Sequence, residues 1–236
     1  MSDKPKIMTV YGTRPEAIKV APVVSALQDD DRFESVVVST GQHREMLEQV
    51  NKRFGITPDH DMALMKPGQT LNELVARAIR GLDPIIEEEQ PDVIISQGDT
   101  STAMVAALTG FHKGVKVVHL EAGLRTGNIF SPFPEEANRK IISQIASLHL
   151  APTNESRENL RRENFRSKDI VVTGNTVIDA LLTASEWDVK FGDPRLEKLR
   201  NSDEKLVLVT THRRENLDAM KEIGGAVQDL AKSYPD

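Results

Sequence analysis

The feature that most constrains this chain is a repeated alternation: short, nearly unbroken apolar runs, each followed by a segment with helical periodicity. The first repeat sets the pattern. Ile7 to Tyr11 suits a buried strand and Gly12 ends it. Pro15 suits the first helical turn, where its missing N–H costs nothing, and Glu16 sits beside it near the positive end of the helix dipole. The helix continues through Ile18, Val20, Ala21, Val23, Val24 and Leu27. The same reading predicts strands at 6–11, 34–40, 93–97, 115–120, 147–151, 170–173 and 206–210. It predicts helices at 15–28, 43–53, 70–90, 101–112, 135–146, 154–163, 175–186 and 218–233. Val- and Ile-rich strands separated by helices define an α/β fold, a Rossmann-like parallel sheet with helices on both faces. In such sheets ligands sit outside the carboxyl ends of the strands.

Residues 187–205 interrupt the rhythm with polar and turn residues, and Lys205 to Thr211 then reads as a fresh first strand. One strand and one helix cannot close a second α/β domain, because the strand's edge would stay unpaired. The expected organisation is therefore an N-terminal Rossmann-like domain over 1–174, a connecting helix and linker over 175–205, and the start of a second, incomplete domain over 206–236.

A net charge of −6 argues against a general nucleic-acid binder. The chain has no cysteine, which excludes disulfides and thiolate metal sites. The polar start, Ser2 to Lys6, has no signal-peptide apolar region, and no apolar run is long enough to span a bilayer. These features point to a soluble, cytoplasmic protein without a membrane partner. The six histidines are scattered, so no metal is expected.

Several polar residues fall at strand ends. Arg14 and Lys19 flank the first helix N-terminus, itself an anion site, and two fixed cations there suit a phosphate or diphosphate. The competing view is an ordinary strand–turn–helix unit with surface cations; neither a dinucleotide fingerprint nor a P-loop is present. Asp99 follows Gly98 at the next strand tip and reads either as a helix cap or as a crevice carboxylate, with Thr100 or Ser101 the alternative caps. Glu121 ends a buried strand before a loop with Gly123 and Gly127; it serves chemistry or pairs with Arg125. Glu135 and Glu136 lie in a first turn, where acids ordinarily complement the dipole. His212 ends the seventh expected strand beside Arg213 and Arg214, in either a structural or a functional role. Asp99, Glu121, Glu135 and His212 form a candidate acid–base set. Arg14, Lys19, Arg213 and Arg125 are candidate anion holders.

Seven motifs occur in order: Gly12-Thr13-Arg14-Pro15-Glu16, Gln42-His43-Arg44, Gly98-Asp99-Thr100, Glu121-Ala122-Gly123-Leu124-Arg125, Pro134 to Arg139, Thr173-Gly174-Asn175-Thr176 and Thr211 to Glu215. As a set they resemble the bacterial non-hydrolysing UDP-N-acetylglucosamine 2-epimerases. The resemblance implies a two-domain GT-B architecture with the active site in the cleft between the domains. It implies interconversion of UDP-GlcNAc and UDP-ManNAc without metal or nicotinamide, by elimination of UDP to 2-acetamidoglucal and re-addition. It further implies a cytoplasmic homodimer supplying cell-surface polysaccharide synthesis. Arg14, Lys19, Asp99, Glu121 and His212 match substrate-contacting positions of the family, and Glu135 matches a further catalytic candidate. Gln42, His43, Arg44 and Gln69 match an allosteric UDP-GlcNAc site found in some members, although Glu45 and Pro67-Gly68 depart from that pattern. Alternatives are a hydrolysing relative that releases free ManNAc, a GT-B glycosyltransferase and a non-catalytic nucleotide-sugar-binding fragment.

Overall fold

A computed structural model describes residues 4–41, 44–66, 68–203, 206–210 and 219–234, with backbone alone for 44–46. Its chain divides into two units, Met1–Glu186 and Trp187–Asp236.

The first unit is built on a seven-stranded sheet in the order β3-β2-β1-β4-β5-β6-β7. The strands are β1 Lys6–Tyr11, β2 Glu34–Ser39, β3 His60–Asp61, β4 Val93–Gln97, β5 Lys116–Leu120, β6 Leu148–Ala151 and β7 Ile170–Val172. Every neighbouring pair is parallel. The connecting helices are α1 Arg14–Gln28, α2 Arg44–Phe54, α3 Leu71–Glu89, α4 Ser101–His112, α5 Glu135–Ile145, α6 Asn154–Arg162 and α7 Thr176–Ser185. The expected fold class, a Rossmann-like α/β sheet, is therefore the fold observed.

Alternation along the central strands builds a core on each face. Met8, Val10, Val36, Val38 and Ile94 pack with Leu74, Leu82 and Ile86 of α3 and Val105 of α4. Tyr11, Val37 and Ile95 pack with Val20 and Val24 of α1 and Leu47 of α2. Apolar side chains on both faces explain why these strands read as continuous apolar runs rather than as alternating ones. The chain winds outward from β1 to β3, then returns to the other side of β1 as β4. That reversal opens a crevice beyond the carboxyl ends of β1 and β4.

Three details differ from the sequence reading. The two-residue strand β3 was not anticipated; it is too short to leave a periodic signal. Helix α7, expected in the connection, packs on α1 and belongs to the first unit. The expected strand at 206–210 is a correction: the described residues there form no strand. Leu206, Val207, Leu208 and Val209 are exposed, and no strand among the described residues pairs with them to give their backbone groups a ladder. The second unit, described by itself, contains α8 Pro194–Arg200 and α9 Met220–Ser233. Helix α8 lies inside the expected linker; Asp193 caps it and Pro194 occupies its first turn.

Candidate active site

The crevice at the strand reversal is a cleft of about 370 Å³ lined by Thr13, Pro15, Glu16, Lys19, Gln97, Gly98, Asp99, Thr100 and Glu121. Its floor is set by Glu16. Thr13 and Glu16 form a capping box at the start of α1. The Glu16 carboxylate accepts from Gly12 N at 2.9 Å and Thr13 N at 2.7 Å, and also from the Thr100 hydroxyl. One buried carboxylate thus ties the tip of β1 to the tip of β4. Burial pushes its pKa up, opposed by these hydrogen bonds. This narrows the expected anion site: an internal carboxylate already holds the backbone N–H groups of Gly12 and Thr13 just before the helix. Gly12 is needed for space rather than for its turn. A Cβ there would stand 2.2 Å from Thr40 Oγ1 and 2.6 Å from Thr102 Oγ1.

Lys19 reaches across the crevice to Glu121, with Nζ at 2.7 Å from Oε1 and 2.6 Å from Oε2. Glu121 also accepts from Gln97 Nε2 at 2.9 Å and from Asn175 Nδ2 at 3.0 Å. Asn175 caps α7 through its oxygen, so one side chain both starts that helix and steadies the carboxylate. The backbone of Glu121 is left-handed, with φ 67°. A non-glycine residue there costs of order 1–3 kcal/mol and persists only when its surroundings hold it. Four hydrogen bonds do so here.

The alternative in which Glu121 pairs with Arg125 is corrected. Arg125 donates to Glu163 through Nε at 2.9 Å and Nη2 at 2.8 Å, and to Ser143 and the Leu124 carbonyl. This fork pulls the Glu163 pKa below its usual range. Arg125 is therefore spent on anchoring the 121–127 loop to α6, not left to hold an anion.

Asp99 is not the cap of α4; Thr100 is, accepting from Ala103 N. Instead Arg139 of α5 donates to Asp99 Oδ2 from Nε at 2.8 Å, and its Nη2 makes an ion-pair contact with the same oxygen at 2.6 Å. The Asp99 carbonyl accepts from Asn138 Nδ2 at 2.8 Å. Beneath this tip lies the buried His119, whose Nε2 donates to the Gly98 carbonyl at 2.8 Å. Burial drives its pKa down to about 3, so the ring is neutral.

The structure thus brings Lys19, Asp99 and Glu121 to one cleft. Arg14, the first residue of α1, is exposed, and its side chain is outside the cleft lining. Glu135 opens α5, half-buried and also outside the lining, with Oε2 fully buried and unpartnered. His212, Arg213, Gln42 and His43 lie outside the described residues, and only the backbone of Arg44 is described, at the start of α2. Gln69 lines a different pocket, where its Oε1 accepts from Arg77 at 2.9 Å. Among the described residues no group of three or more His, Asp or Glu side chains could hold a metal ion. No helix among them is long and apolar enough to cross a membrane.

Sequence reasoning missed Gln97, Asn175, Arg139, His119 and the buried role of Glu16. The last was detectable, because Thr13-x-x-Glu16 is a capping-box spacing. The others contact the site through tertiary packing alone.

A carboxylate-rich crevice at the reversal of a parallel sheet is the ligand site of a doubly wound α/β protein. The profile of the family described as UDP-N-acetylglucosamine 2-epimerase matches residues 25–236, and the chain belongs to that family. It is 48% identical over 237 residues to UDP-N-acetylglucosamine 2-epimerase of Yersinia pestis, covering 98% of this chain. It spans 63% of the length of that relative. Among solved structures it resembles UDP-GlcNAc 2-epimerase from Neisseria meningitidis bound to UDP-GlcNAc, with TM-score 0.86, 44% identity and coverage of 98% of this chain and 63% of the other. A second is a crystal structure described as a putative UDP-N-acetylglucosamine 2-epimerase from Listeria monocytogenes, with TM-score 0.91, 46% identity and coverage of 100% and 61%.

Proposed function

We propose that the complete protein interconverts UDP-GlcNAc and UDP-ManNAc, with the crevice at β1, β4 and β5 supplying proton transfer at C2 and part of the diphosphate clamp. The observation that carries this reading is the Lys19–Glu121 pair facing Asp99 in one cleft, in a chain of the epimerase family. A cation and two carboxylates at one crevice are what elimination across C1–C2 requires. The C2 hydrogen has no adjacent carbonyl to acidify it, so cleavage of the C1–O bond must assist its loss. In the forward step a carboxylate takes the C2 proton, the C–H electrons form the C1=C2 double bond of 2-acetamidoglucal, and the C1–O pair leaves with UDP. Lys19, Arg14 and Arg213 are assigned to the diphosphate side, where positive charge favours the developing oxyanion. Return of a proton to the opposite face of C2 and of UDP to C1 completes epimerisation. Asp99, Glu121, Glu135 and His212 are the proton-transfer candidates.

The supporting geometry is electrostatic. Lys19 is held by Glu121. A diphosphate arriving at Lys19 would compete for that cation and free Glu121, coupling substrate binding to the appearance of a reactive carboxylate. The non-hydrolysing outcome, the cytoplasmic homodimer, the supply of polysaccharide precursors and allosteric control through Gln42, His43, Arg44 and Gln69 rest on the family resemblance. Incubating the complete enzyme with UDP-GlcNAc in deuterated water tests the reading by NMR. UDP-ManNAc carrying deuterium at C2 is expected. Free ManNAc as the sole product would assign the hydrolysing reaction, and a product unlabelled at C2 would remove the elimination.

A further inference from the structure

We infer that Arg139, braced by the buried Glu136, is a positioning residue that fixes Asp99 with one carboxylate oxygen committed and the other available to substrate; this rests on the reading of Asp99 as a proton-transfer group. Both Arg139 contacts fall on the same oxygen, Oδ2, at 2.8 Å from Nε and 2.6 Å from Nη2. Oδ1 accepts no hydrogen bond from the described residues, and Asp99 lines the cleft. A guanidinium ordinarily meets a carboxylate as a fork, one donor to each oxygen. Here the Nε hydrogen bond and the shortest ion-pair contact both fall on Oδ2, and Oδ1 accepts no hydrogen bond from the described residues.

The other end of Arg139 explains why the guanidinium is held at that angle. Its Nη1 donates at 3.0 Å to Glu136 Oε2, whose side chain is fully buried. Glu136 also accepts from Gly127 N at 3.3 Å, which ties the brace to the loop that follows Glu121. Asn138, from the same helix, holds the Asp99 carbonyl at 2.8 Å. The charged groups facing this tip are therefore Arg139 and Glu136 from α5, with Lys19 of α1 and Glu121 lining the same cleft. An aspartate on a turn swings freely unless its side chain and backbone are both held. Helix α5 does both, through its adjacent residues Asn138 and Arg139.

A double-mutant cycle in the complete enzyme tests this. Arg139→Gln should lower kcat at least 30-fold while KM, and UDP affinity measured calorimetrically, change by less than threefold. Arg139→Lys, which keeps the charge but not the fork, should recover part of the loss. In an Asp99→Asn background, Arg139→Gln should cost nothing further, because the group it positions is gone. An added loss in that background would assign Arg139 a separate role and overturn the inference, leaving the reading of Asp99 intact. Near-native turnover of Asp99→Asn alone would overturn both. Should Arg139→Gln fail to fold for want of a partner for Glu136, the paired variant Arg139→Gln with Glu136→Gln removes both buried charges and is put through the same cycle.

Discussion

The two carboxylates of the crevice stand on neighbouring strand tips and are held in opposite ways. Glu121 is saturated: Lys19, Gln97 and Asn175 fill both its oxygens, and its backbone is held left-handed. Asp99 is half-engaged, with Arg139 on Oδ2 and nothing among the described residues on Oδ1. The difference teaches that two acids of similar chemistry can be set to different states by what surrounds them, one waiting on the release of a cation, the other already presented. Separate environments are how one site assigns separate roles to like groups.

The strongest way to break this contrast is to remove each acid. Asp99→Asn and Glu121→Gln should each reduce turnover by roughly 10²–10⁴-fold, the scale for losing a general acid or base. Their effects on ligand should differ. Asp99→Asn should leave UDP affinity unchanged. Glu121→Gln should tighten it, because Lys19 no longer has a charged internal partner competing with the diphosphate. Equal affinity in all three proteins, measured by calorimetry, would remove the handover of Lys19.

A second test acts on the support beneath Asp99. His119 and His149 are buried side by side on β5 and β6, in register, and burial holds them at about 3 and about 4. An unfolded histidine titrates near 6.5. Below that value the unfolded chain binds protons that the folded chain refuses, so stability is complete above pH 6.5 and is lost as pH falls toward 4 and then 3. His149 alone accounts for about 3 kcal/mol across this window. Urea denaturation at pH 7.5, 6 and 5 should show the decline, and His149→Gln should reduce it to roughly half, the share left to His119. A pH-independent midpoint would contradict the neutral pair.

The smaller effects fall on affinity and on the Glu121 loop. Arg14→Ala should weaken UDP binding by about 1.5–3 kcal/mol, the range for a hydrogen bond to a charged group. Gly123→Ala should destabilise the fold by roughly 1–3 kcal/mol. Its φ is +89°, and a Cβ would lie 2.2 Å from the Ser156 carbonyl oxygen. Thermal unfolding reads this directly. An unshifted transition would mean that the loop is not seated on α6.

What could be read in the sequence divides along physical lines. Strands such as Val93–Gln97 and helices such as Ser101–His112 were legible because burial imposes a local apolar pattern. Asp99 and Glu121 were legible because they follow apolar strands at turns with glycine. Their partners were not. Arg139 lies 40 positions from Asp99, and Asn175 lies 54 from Glu121, so only the folded sheet joins them. Arg125 misled for the same reason: its partner, Glu163, is 38 positions away, while Glu121 is near in sequence. The apolar run at 206–210 also has strand character, but a strand is a relation between segments, and none pairs with it among the described residues.

The most direct test of the central claim, that Asp99 and Glu121 move the C2 proton, is the rate at which solvent deuterium appears at C2 of UDP-GlcNAc and UDP-ManNAc in the complete enzyme and its Asp99→Asn variant. Exchange is expected in the parent enzyme and a loss of roughly 10²-fold or more in the variant, with UDP bound equally well by both. Exchange in Asp99→Asn at the parent rate would contradict it.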